Sequence, residues 1–296
     1  CTVGNFGPGF DVLSLALERV GDSVQLREAE ADEVTMTGPG AERIPREWTR
    51  NAACAAIDHL RAKTGKRAPL HLALTKGMPP GSGLGSSASS SAAAVRAFVQ
   101  LHDISINAAT ALDAAAAGEA VASGGAHRDD VGAALFGGLV IVGGDGPDTI
   151  IRLRPPPIHL VVARPDVELA TREMRGLIPQ ALPRADVVHN LSNVARIVHA
   201  CHMQDAAMLC RALDDRISRP YRAPRVPRYD EMRDAAMHAG ASAFLLSGSG
   251  PAVIAACVPA CDPAPVADAL RVLIEKGEVF VTRPGGEVDS PGIRLH

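Results

Sequence analysis

The chain has 296 residues, which is enough for one large or two medium domains. Hydrophobic residues make up 47 % and charged residues 21 %, which excludes a disordered chain, and no apolar run reaches the roughly 18 residues of a membrane span. With a formal net charge of -3, the protein has no overall attraction for nucleic acid or anionic lipid.

Apolar periodicity and turn residues predict a mixture of strands and helices in the first half. In chain order these are strands between Asp11 and Glu28 with a turn at Gly21-Asp22, a helix at 51–63 capped by Thr49, a strand at 70–75, an alanine-rich helix after a glycine loop, a second such helix at 107–122 and a strand at 136–142. Prolines and glycines then mark a domain boundary near residue 153.

The second half mixes the two kinds of element in the same way. In chain order these are a strand at 159–165, helices at 171–182 and 186–214, an Arg/Pro-rich loop at 216–228, a helix at 229–239, strands at 241–250 and 252–258 and a helix at 263–276. Because strands and helices do not alternate regularly, we predict an α+β protein with domains at 1–153 and 154–296.

The cysteines and the start of the chain bear on its cellular location. Six cysteines without a CxxC pair favour free thiols in a reducing cytoplasm. The chain opens at Cys1 without a basic and apolar leader, so we expect a trimmed start rather than a targeting signal.

The passage from Gly81 to Ser87 has the composition of an anion-binding loop. Three glycines let the backbone approach phosphate oxygens, and the free N–H groups at the start of the following helix attract negative charge. Ser86 and Ser87 can cap that helix or offer a hydroxyl to phosphate or Mg²⁺. The alternative is a tight turn with a serine N-cap.

Three better-known motifs are excluded. No lysine follows the glycines, as a Walker A loop requires, and position 86 is Ser where a Rossmann fingerprint has its third glycine. The triplet at 127–129 mimics a protein-kinase catalytic loop, but Ala134 stands where that loop needs asparagine. A phosphate-binding loop of another family remains.

Three segments, in order, resemble the motifs of the GHMP kinase superfamily, and the first of them resembles homoserine kinases in particular. CTVGNFGPGFDVLSLAL at 1–17 is similar to the first motif, PPGSGLGSSAS at 79–89 to the phosphate-binding second motif, and LSGSGPAVIA at 246–255 to the third. Further similar segments lie at 118–131, 170–179 and 215–229. The resemblance implies a ribosomal-protein-S5-like N-terminal domain and a ferredoxin-like C-terminal domain.

The resemblance also implies which residues bind ATP and Mg²⁺. Ser87 and Glu119 would coordinate Mg²⁺, Asn51 would contact the nucleotide and Lys76 would reach a phosphate. The implied phosphate-binding segment is Pro79, Pro80, Gly81, Ser82, Gly83, Leu84, Gly85, Ser86, Ser87, Ala88 and Ser89. Without the family, Glu119 would be interpreted as a helix-surface carboxylate, Asn51 as a solvated cap and Lys76 as a strand end in water.

For the acceptor, the resemblance implies L-homoserine, whose carboxylate, ammonium and hydroxyl call for an arginine, an acid or amide, and a nearby phosphate. The implied acceptor residues are Asn5, Asp11, His127, Thr171, Arg175, Arg222 and Gly248. Two of these have alternatives. Arg222 belongs to a run with arginine at every third residue from 216 to 228, which is typical of solvated surface, and Asp11 could cap backbone amides.

The catalytic candidates are Asp130, His127 and Arg175, and Asp130 departs from the family pattern. Homoserine kinases typically have His-x-Asp-Asn-Val here, whereas this chain has Asp130 in place of the asparagine. A carboxylate can accept the proton of the attacking hydroxyl and an amide cannot, so we hypothesise that Asp130 is a base or orienting group. The alternatives are that it keeps the hydrogen-bonding role of the asparagine or points at Mg²⁺.

The sequence thus predicts a cytoplasmic ATP- and Mg²⁺-dependent kinase that phosphorylates L-homoserine in threonine biosynthesis. One alternative is another kinase of the superfamily, acting on mevalonate, a sugar or another hydroxy acid with Asp130 as base. Another is a non-catalytic relative that binds a nucleotide or metabolite. Nucleic acid and membrane are not expected as partners, and a homodimer is implied by the resemblance alone.

Overall fold

The computed structural model describes residues 1–125, 127–143, 150–286 and 293–294. Its strands are β1 (Thr2–Gly4), β2 (Leu13–Ala16), β3 (Ser23–Glu28), β4 (Glu33–Thr37), β5 (Leu70–Thr75), β6 (Ile106–Asn107), β7 (Leu139–Val142), β8 (Ile150–Leu153), β9 (His159–Pro165), β10 (Ala243–Leu246), β11 (Val253–Cys257), β12 (Gly277–Thr282) and β13 (Ile293–Arg294). Its α-helices are α1 (Ala52–Thr64), α2 (Ser86–Leu101), α3 (Ala108–Ser123), α4 (Arg128–Phe136), α5 (Thr171–Gly176), α6 (Arg184–Met203), α7 (Ala206–Arg211), α8 (Arg219–Arg222), α9 (Tyr229–His238) and α10 (Pro263–Leu273).

Two sheets and four helices form the first half. One sheet is antiparallel in the order β1-β2-β7-β8, and the other has the order β3-β5-β4, with β4 parallel to β5. Helices α1, α2 and α3 pack on one another through small alanine-rich faces and share a core with α4. The α+β class is confirmed.

The second half is built on one antiparallel sheet in the order β10-β11-β9-β12. Alternate residues of β9 face opposite sides, because side chains alternate along a strand. Leu160 and Val162 pack into a core shared with β1 and β2, whereas Val161 and Ala163 pack against α9 and α10. The two halves are therefore joined by a continuous apolar core.

The chain passes from the first-half sheet to the second-half sheet between β8, which ends at Leu153, and β9; the domain bounds 1–153 and 154–296 stay a prediction. The end of the chain then returns to the first half. Pro284 forms an isolated bridge with Leu17, and β13 pairs in parallel with β6.

Several predicted elements differ from the structure. The helix expected at 171–182 ends at Gly176, and the loop expected at 216–228 contains α8. The apolar stretch at 11–28 forms β2 and β3 in different sheets, and Asn51 rather than Thr49 caps α1. The helix expected at 186–214 breaks at Gln204, whose φ is 54°. Helix α4 was not predicted, since Gly132 weakens its pattern; a Cβ at that glycine would lie 2.8 Å from a Val142 methyl, so close packing requires it.

A search of the helices in the described residues finds none with the length and apolar content needed to cross a membrane.

Candidate active site

A cleft of about 440 Å³ lies between the two halves, where the three motif segments meet. Most of the predicted site residues line it. These are Asn5, Asp11, Pro80, Gly81, Ser82, Gly83, Gly85, Ser86, Ser87, Glu119, His127, Asp130, Thr171, Arg175, Arg222 and Gly248. They come from segments far apart in sequence, so the fold brings the predicted nucleotide and acceptor residues into one site.

One end of the cleft is the glycine loop that leads into α2. Gly81, Gly83 and Gly85 have φ values of 70°, 77° and 60°, a left-handed backbone that glycine adopts at little cost. Gly85 occupies the N-cap position of α2 and has no side chain that could accept from the first N–H groups of this helix. No N-cap side chain therefore competes with a ligand for these groups. The loop has the form of an anion-binding site at a helix N-terminus.

The two serines after the loop do not cap α2. The Ser86 hydroxyl donates to the Met78 carbonyl at 3.1 Å, which closes the loop on itself. The Ser87 hydroxyl donates to Glu119 Oε2 at 2.5 Å. The interpretation as a turn with a serine N-cap therefore does not hold.

Ser87, Glu119 and His127 form a polar group beside the loop. His127 Nδ1 lies 3.7 Å from Glu119 Oε1 and 3.1 Å from the Ser123 hydroxyl. The Glu119 carboxylate raises the pKa of His127, against the opposing effect of burial. Glu119 itself is only 6 % exposed, so it is not the helix-surface carboxylate of the alternative interpretation.

Asp130 lies at the floor of the cleft, at the start of α4. Its Oδ1 accepts hydrogen bonds from the Thr2 hydroxyl at 2.6 Å and the Ser14 hydroxyl at 2.9 Å. Burial raises the pKa of Asp130, and these two hydrogen bonds oppose the rise because they stabilise the carboxylate. Burial also raises the pKa of the adjacent Asp129, and the charge of Asp130 adds to that rise.

The other end of the cleft carries the charges predicted for the acceptor. Arg175 makes a two-bond ion pair with Asp11, at 2.8 and 2.7 Å. Both Arg175 and Arg222 stack on the ring of Phe10, with 5.4 and 5.3 Å from each guanidinium carbon to the ring centroid. Arg175, Arg222 and Asp11 thus place two cations and one carboxylate beside the ring of Phe10.

Arg222 is buried, with 3 % exposure, in contrast to the solvated surface that its periodic run suggests. It donates from Nε to the Met174 carbonyl at 3.2 Å and from Nη1 to the Gly248 carbonyl at 3.0 Å. Burial lowers its pKa to about 10, and the nearby Arg175 charge adds to this. Arg222 therefore remains cationic at neutral pH.

The third motif closes this end of the cleft through its backbone. The Gly248 carbonyl also accepts from Asn5 Nδ2 at 3.3 Å, while Asn5 Oδ1 accepts from the Asp11 backbone N–H at 3.2 Å. The Thr171 hydroxyl lies 3.3 Å from that of Ser249. The first and third motifs are thus tied to each other beside the two arginines.

Six predicted residues lie outside the cleft lining: Asn51, Lys76, Pro79, Leu84, Ala88 and Ser89. Asn51 is buried; its Oδ1 caps α1 by accepting from the Ala53 N–H at 3.0 Å, and its Nδ2 donates to the Pro45 carbonyl at 3.1 Å. Lys76 is buried in an ion pair with Asp22, so it does not end its strand in water. For these residues, contact with the nucleotide stays a prediction.

The cleft also contains residues that sequence reasoning missed. Phe10 lies inside the quoted first motif, and its place between glycine and aspartate was the available signal. Asp129 is 4 % exposed and lines the cleft beside Asp130. Unlike Asp130, it does not depart from the family pattern, so the sequence gives it no separate signal. Glu168 lines the loop side and pairs with Arg43 at 2.8 Å, a contact that no sequence pattern indicates.

Two segments of the chain match family descriptions that cover both halves of the fold. Residues 51–138 match the GHMP kinases N terminal domain, and residues 190–279 match the GHMP kinases C terminal domain. The chain belongs to the GHMP kinase family. It is therefore an enzyme of the kinase class, and ATP is the phosphoryl donor that this family uses.

Individual members of the GHMP kinase family extend the likeness over nearly the whole chain. A homoserine kinase of Natronomonas pharaonis is 37 % identical, covering 86 % of this chain and 84 % of its own, and one of Thermococcus gammatolerans is 36 % identical over 96 % of each. The crystal structure of homoserine kinase from Cytophaga hutchinsonii superposes with a TM-score of 0.88 at 31 % identity, covering 96 % of this chain and 92 % of that one.

Proposed function

We propose that this protein transfers the γ-phosphoryl group of ATP to the hydroxyl of L-homoserine, giving O-phospho-L-homoserine and ADP. The observation that carries the proposal is the pairing of Asp11 with Arg175 beside Arg222, opposite the glycine loop in one cleft. The homoserine kinases among its relatives support the same acceptor, and they do not favour the mevalonate, sugar or non-catalytic alternatives.

The charges at the acceptor end match those of an amino acid. The carboxylate of a zwitterion can replace Asp11 as the partner of Arg175, and its ammonium can replace Arg175 as the partner of Asp11. Every charge then keeps a partner. Among the described residues, the Arg175 Nε–H is a buried donor without a partner, and it is available to the incoming carboxylate. A hydroxy acid without an ammonium would leave Asp11 without a cation, which disfavours mevalonate.

The residues beside the glycine loop fit a magnesium ion. The family resemblance implies the Ser87 hydroxyl and the Glu119 carboxylate as the protein ligands, and these two groups lie 2.5 Å apart. Mg²⁺ takes few protein oxygens and fills its other positions with phosphate and water. When bound, it supplies positive charge to the phosphates of ATP.

In this proposal, Asp130 receives the proton of the acceptor hydroxyl. As the hydroxyl oxygen bonds to the γ-phosphorus and the bond to ADP breaks, the hydroxyl proton passes to the carboxylate of Asp130. Its Oδ1 is held by Thr2 and Ser14, which fixes the carboxylate against rotation. His127 and Arg175 line the same cleft, and the Arg175 guanidinium contributes positive charge to it.

The test is ADP release from MgATP in the presence of homoserine, mevalonate, galactose or threonine, each alone. Release with homoserine alone supports the proposal. Release with mevalonate or galactose instead would support another kinase of the family, and no release with any acceptor would support a binding protein.

The cellular setting is also part of the proposal. All six cysteines are free and five are buried, which fits a reducing cytoplasm. A homodimer rests on the family resemblance, and light scattering of the purified protein tests it.

A further inference from the structure

Behind the glycine loop, Lys76 and Asp22 form an ion pair that does not line the cleft. Their side chains are 1 % and 0 % exposed. Burial lowers the pKa of Lys76, and the Asp22 carboxylate opposes that effect. Ion pairs buried this deeply add little to fold stability, because desolvation offsets their attraction. Their hydrogen-bond partners show what this pair does.

The Asp22 carboxylate contacts both ends of the glycine loop. Its Oδ1 accepts from the Gly77 backbone N–H at 2.9 Å, where the chain leaves β5 and enters the loop. Its Oδ2 accepts from the Ser90 hydroxyl at 2.6 Å, in the second turn of α2. The Lys76 ammonium, bound to the same Oδ2, donates to the carbonyl of Ser86 at 3.0 Å, where the loop becomes helix.

Segment 77–85 is therefore anchored at its entry and its exit by one carboxylate and its ammonium partner. Glycine-rich backbone has high conformational entropy, and a loop that orders only on binding weakens affinity by that entropy cost. A loop fixed beforehand presents its N–H groups to phosphate without this cost.

We propose that Asp22 and Lys76 are positioning residues that hold the glycine loop in its phosphate-binding conformation. The inference rests on the proposed function for the identity of the ligand, ATP. It gives Lys76 an effect on nucleotide affinity that acts through the loop, rather than through direct contact with a phosphate.

The direction in which two substitutions change nucleotide affinity distinguishes positioning from direct contact. If Lys76 touched phosphate, Lys76→Met would weaken nucleotide binding and Asp22→Asn would strengthen it, because the ammonium would lose its competing carboxylate. If the pair holds the loop, both substitutions weaken binding. If the pair only stabilises the fold, both lower the melting temperature and neither changes nucleotide affinity.

The same strand supplies a matched control at its other end. Asp32 accepts from Arg61 at 2.7 Å and from the N–H of Leu70, the first residue of β5, at 2.9 Å. Asp22 makes the corresponding contacts just beyond the last residue of β5. Asp32→Asn therefore removes an ion-paired carboxylate of the same kind, though 35 % rather than 0 % exposed, that does not touch the glycine loop.

The experiment is calorimetric titration of ADP, with Mg²⁺, into the full chain and its variants, with melting temperatures measured alongside. We expect both Lys76→Met and Asp22→Asn to raise the Kd of ADP about tenfold or more, since each removes charged hydrogen bonds to the loop. For the control Asp32→Asn we expect a Kd within about twofold of the wild-type value, because distant sites act independently.

Unchanged affinity in both variants, or opposite signs, overturns the inference while leaving the proposed function in place. Wild-type protein that binds no ADP overturns both. If Asp22→Asn does not fold, Ser90→Ala takes its place, because it removes one hydrogen bond to Asp22 and one from Lys76 while both charged side chains stay. We then expect the Kd to rise about fivefold, and no change again overturns the inference.

Discussion

Replacing Asp130 with asparagine separates a proton acceptor from a hydrogen-bond acceptor. The carboxylate oxygen Oδ1 accepts hydroxyl hydrogen bonds from Thr2 at 2.6 Å and Ser14 at 2.9 Å. The amide oxygen of asparagine can accept both, and its size is nearly the same. The fold is therefore expected to hold, while the substitution removes the negative charge and the ability to take a proton.

The two roles predict rates that differ by more than an order of magnitude. A positioned general base contributes about 10²- to 10⁴-fold to a rate. A group that only orients the hydroxyl through one hydrogen bond contributes about 1 kcal/mol, or about fivefold. If Asp130 is the base, kcat for homoserine phosphorylation falls by about a hundredfold or more while both KM values change little.

The assay is kcat at saturating substrates as a function of pH. In the wild type, the rate falls as the pH drops through the pKa of Asp130, which burial raises. Thr2→Val removes a hydrogen bond that stabilises the carboxylate, so the pKa rises further and the acid limb moves to higher pH. The reasoning is refuted if Asp130→Asn leaves both kcat and its pH profile unchanged.

Four further substitutions follow from the same geometry. Asp11→Asn is expected to raise the KM for homoserine about tenfold or more without changing that for ATP, since the ammonium loses a charged partner. Gly83→Ala puts a Cβ 2.6 Å from a third-motif carbonyl and is expected to lower the free energy of unfolding by about 1–3 kcal/mol more than Gly65→Ala, which has a similar φ and open space. Asn51→Ala is expected to cost about 1 kcal/mol of stability through the lost N-cap with the KM for ATP unchanged; a raised KM would reveal a nucleotide contact. Asp129→Asn is expected to stabilise the protein at neutral pH. Because burial raises the folded-state pKa of Asp129, the wild type loses stability as the pH rises from the ordinary aspartate range towards that pKa. Melting curves should show that the stability gained by the variant grows over this pH range.

The motifs predicted most of the cleft because each is a local signal for a backbone geometry. The alternation of glycines before α2 indicates a left-handed loop at a helix start, and the structure has positive φ at all three of those glycines. Asn5, Asp11 and Gly248 could be placed together only through the resemblance, since no local pattern brings residues more than two hundred positions apart into contact.

The periodic run of arginine at every third residue indicates solvated surface, and for Arg222 this indication is wrong. Arg216, Arg225 and Arg228 are exposed, as the pattern predicts, but Arg222 is buried. The carboxylate of Asp215 accepts from the N–H groups of Ile217, Ser218 and Arg219, and so orders the turn that leads into α8. Arg222 then donates to the Met174 and Gly248 carbonyls in the cleft, contacts that spacing alone cannot indicate.

The Lys76–Asp22 ion pair could not be predicted from the sequence, for a different reason. Gly21-Asp22 has the composition of an exposed turn, and Lys76 stands at the end of a strand, where lysine is usually solvated. Each residue alone favours the surface. Their burial depends on a contact between segments 54 positions apart, which single-sequence patterns do not encode.

If the proposed function holds, the third motif determines how far the acceptor lies from the phosphate, because this motif contacts both ends of the cleft. On the phosphate side, the Ser247 hydroxyl donates to the Gly83 carbonyl at 2.6 Å. On the acceptor side, the Gly248 carbonyl accepts from Arg222 and Asn5. Phosphoryl transfer depends mainly on holding the attacking oxygen in line with the phosphorus, so a fixed separation between the two sides contributes directly to the rate. We therefore expect acceptor identity to depend on the side chains around Phe10, and the alignment of acceptor with ATP to depend on the contacts of the third motif.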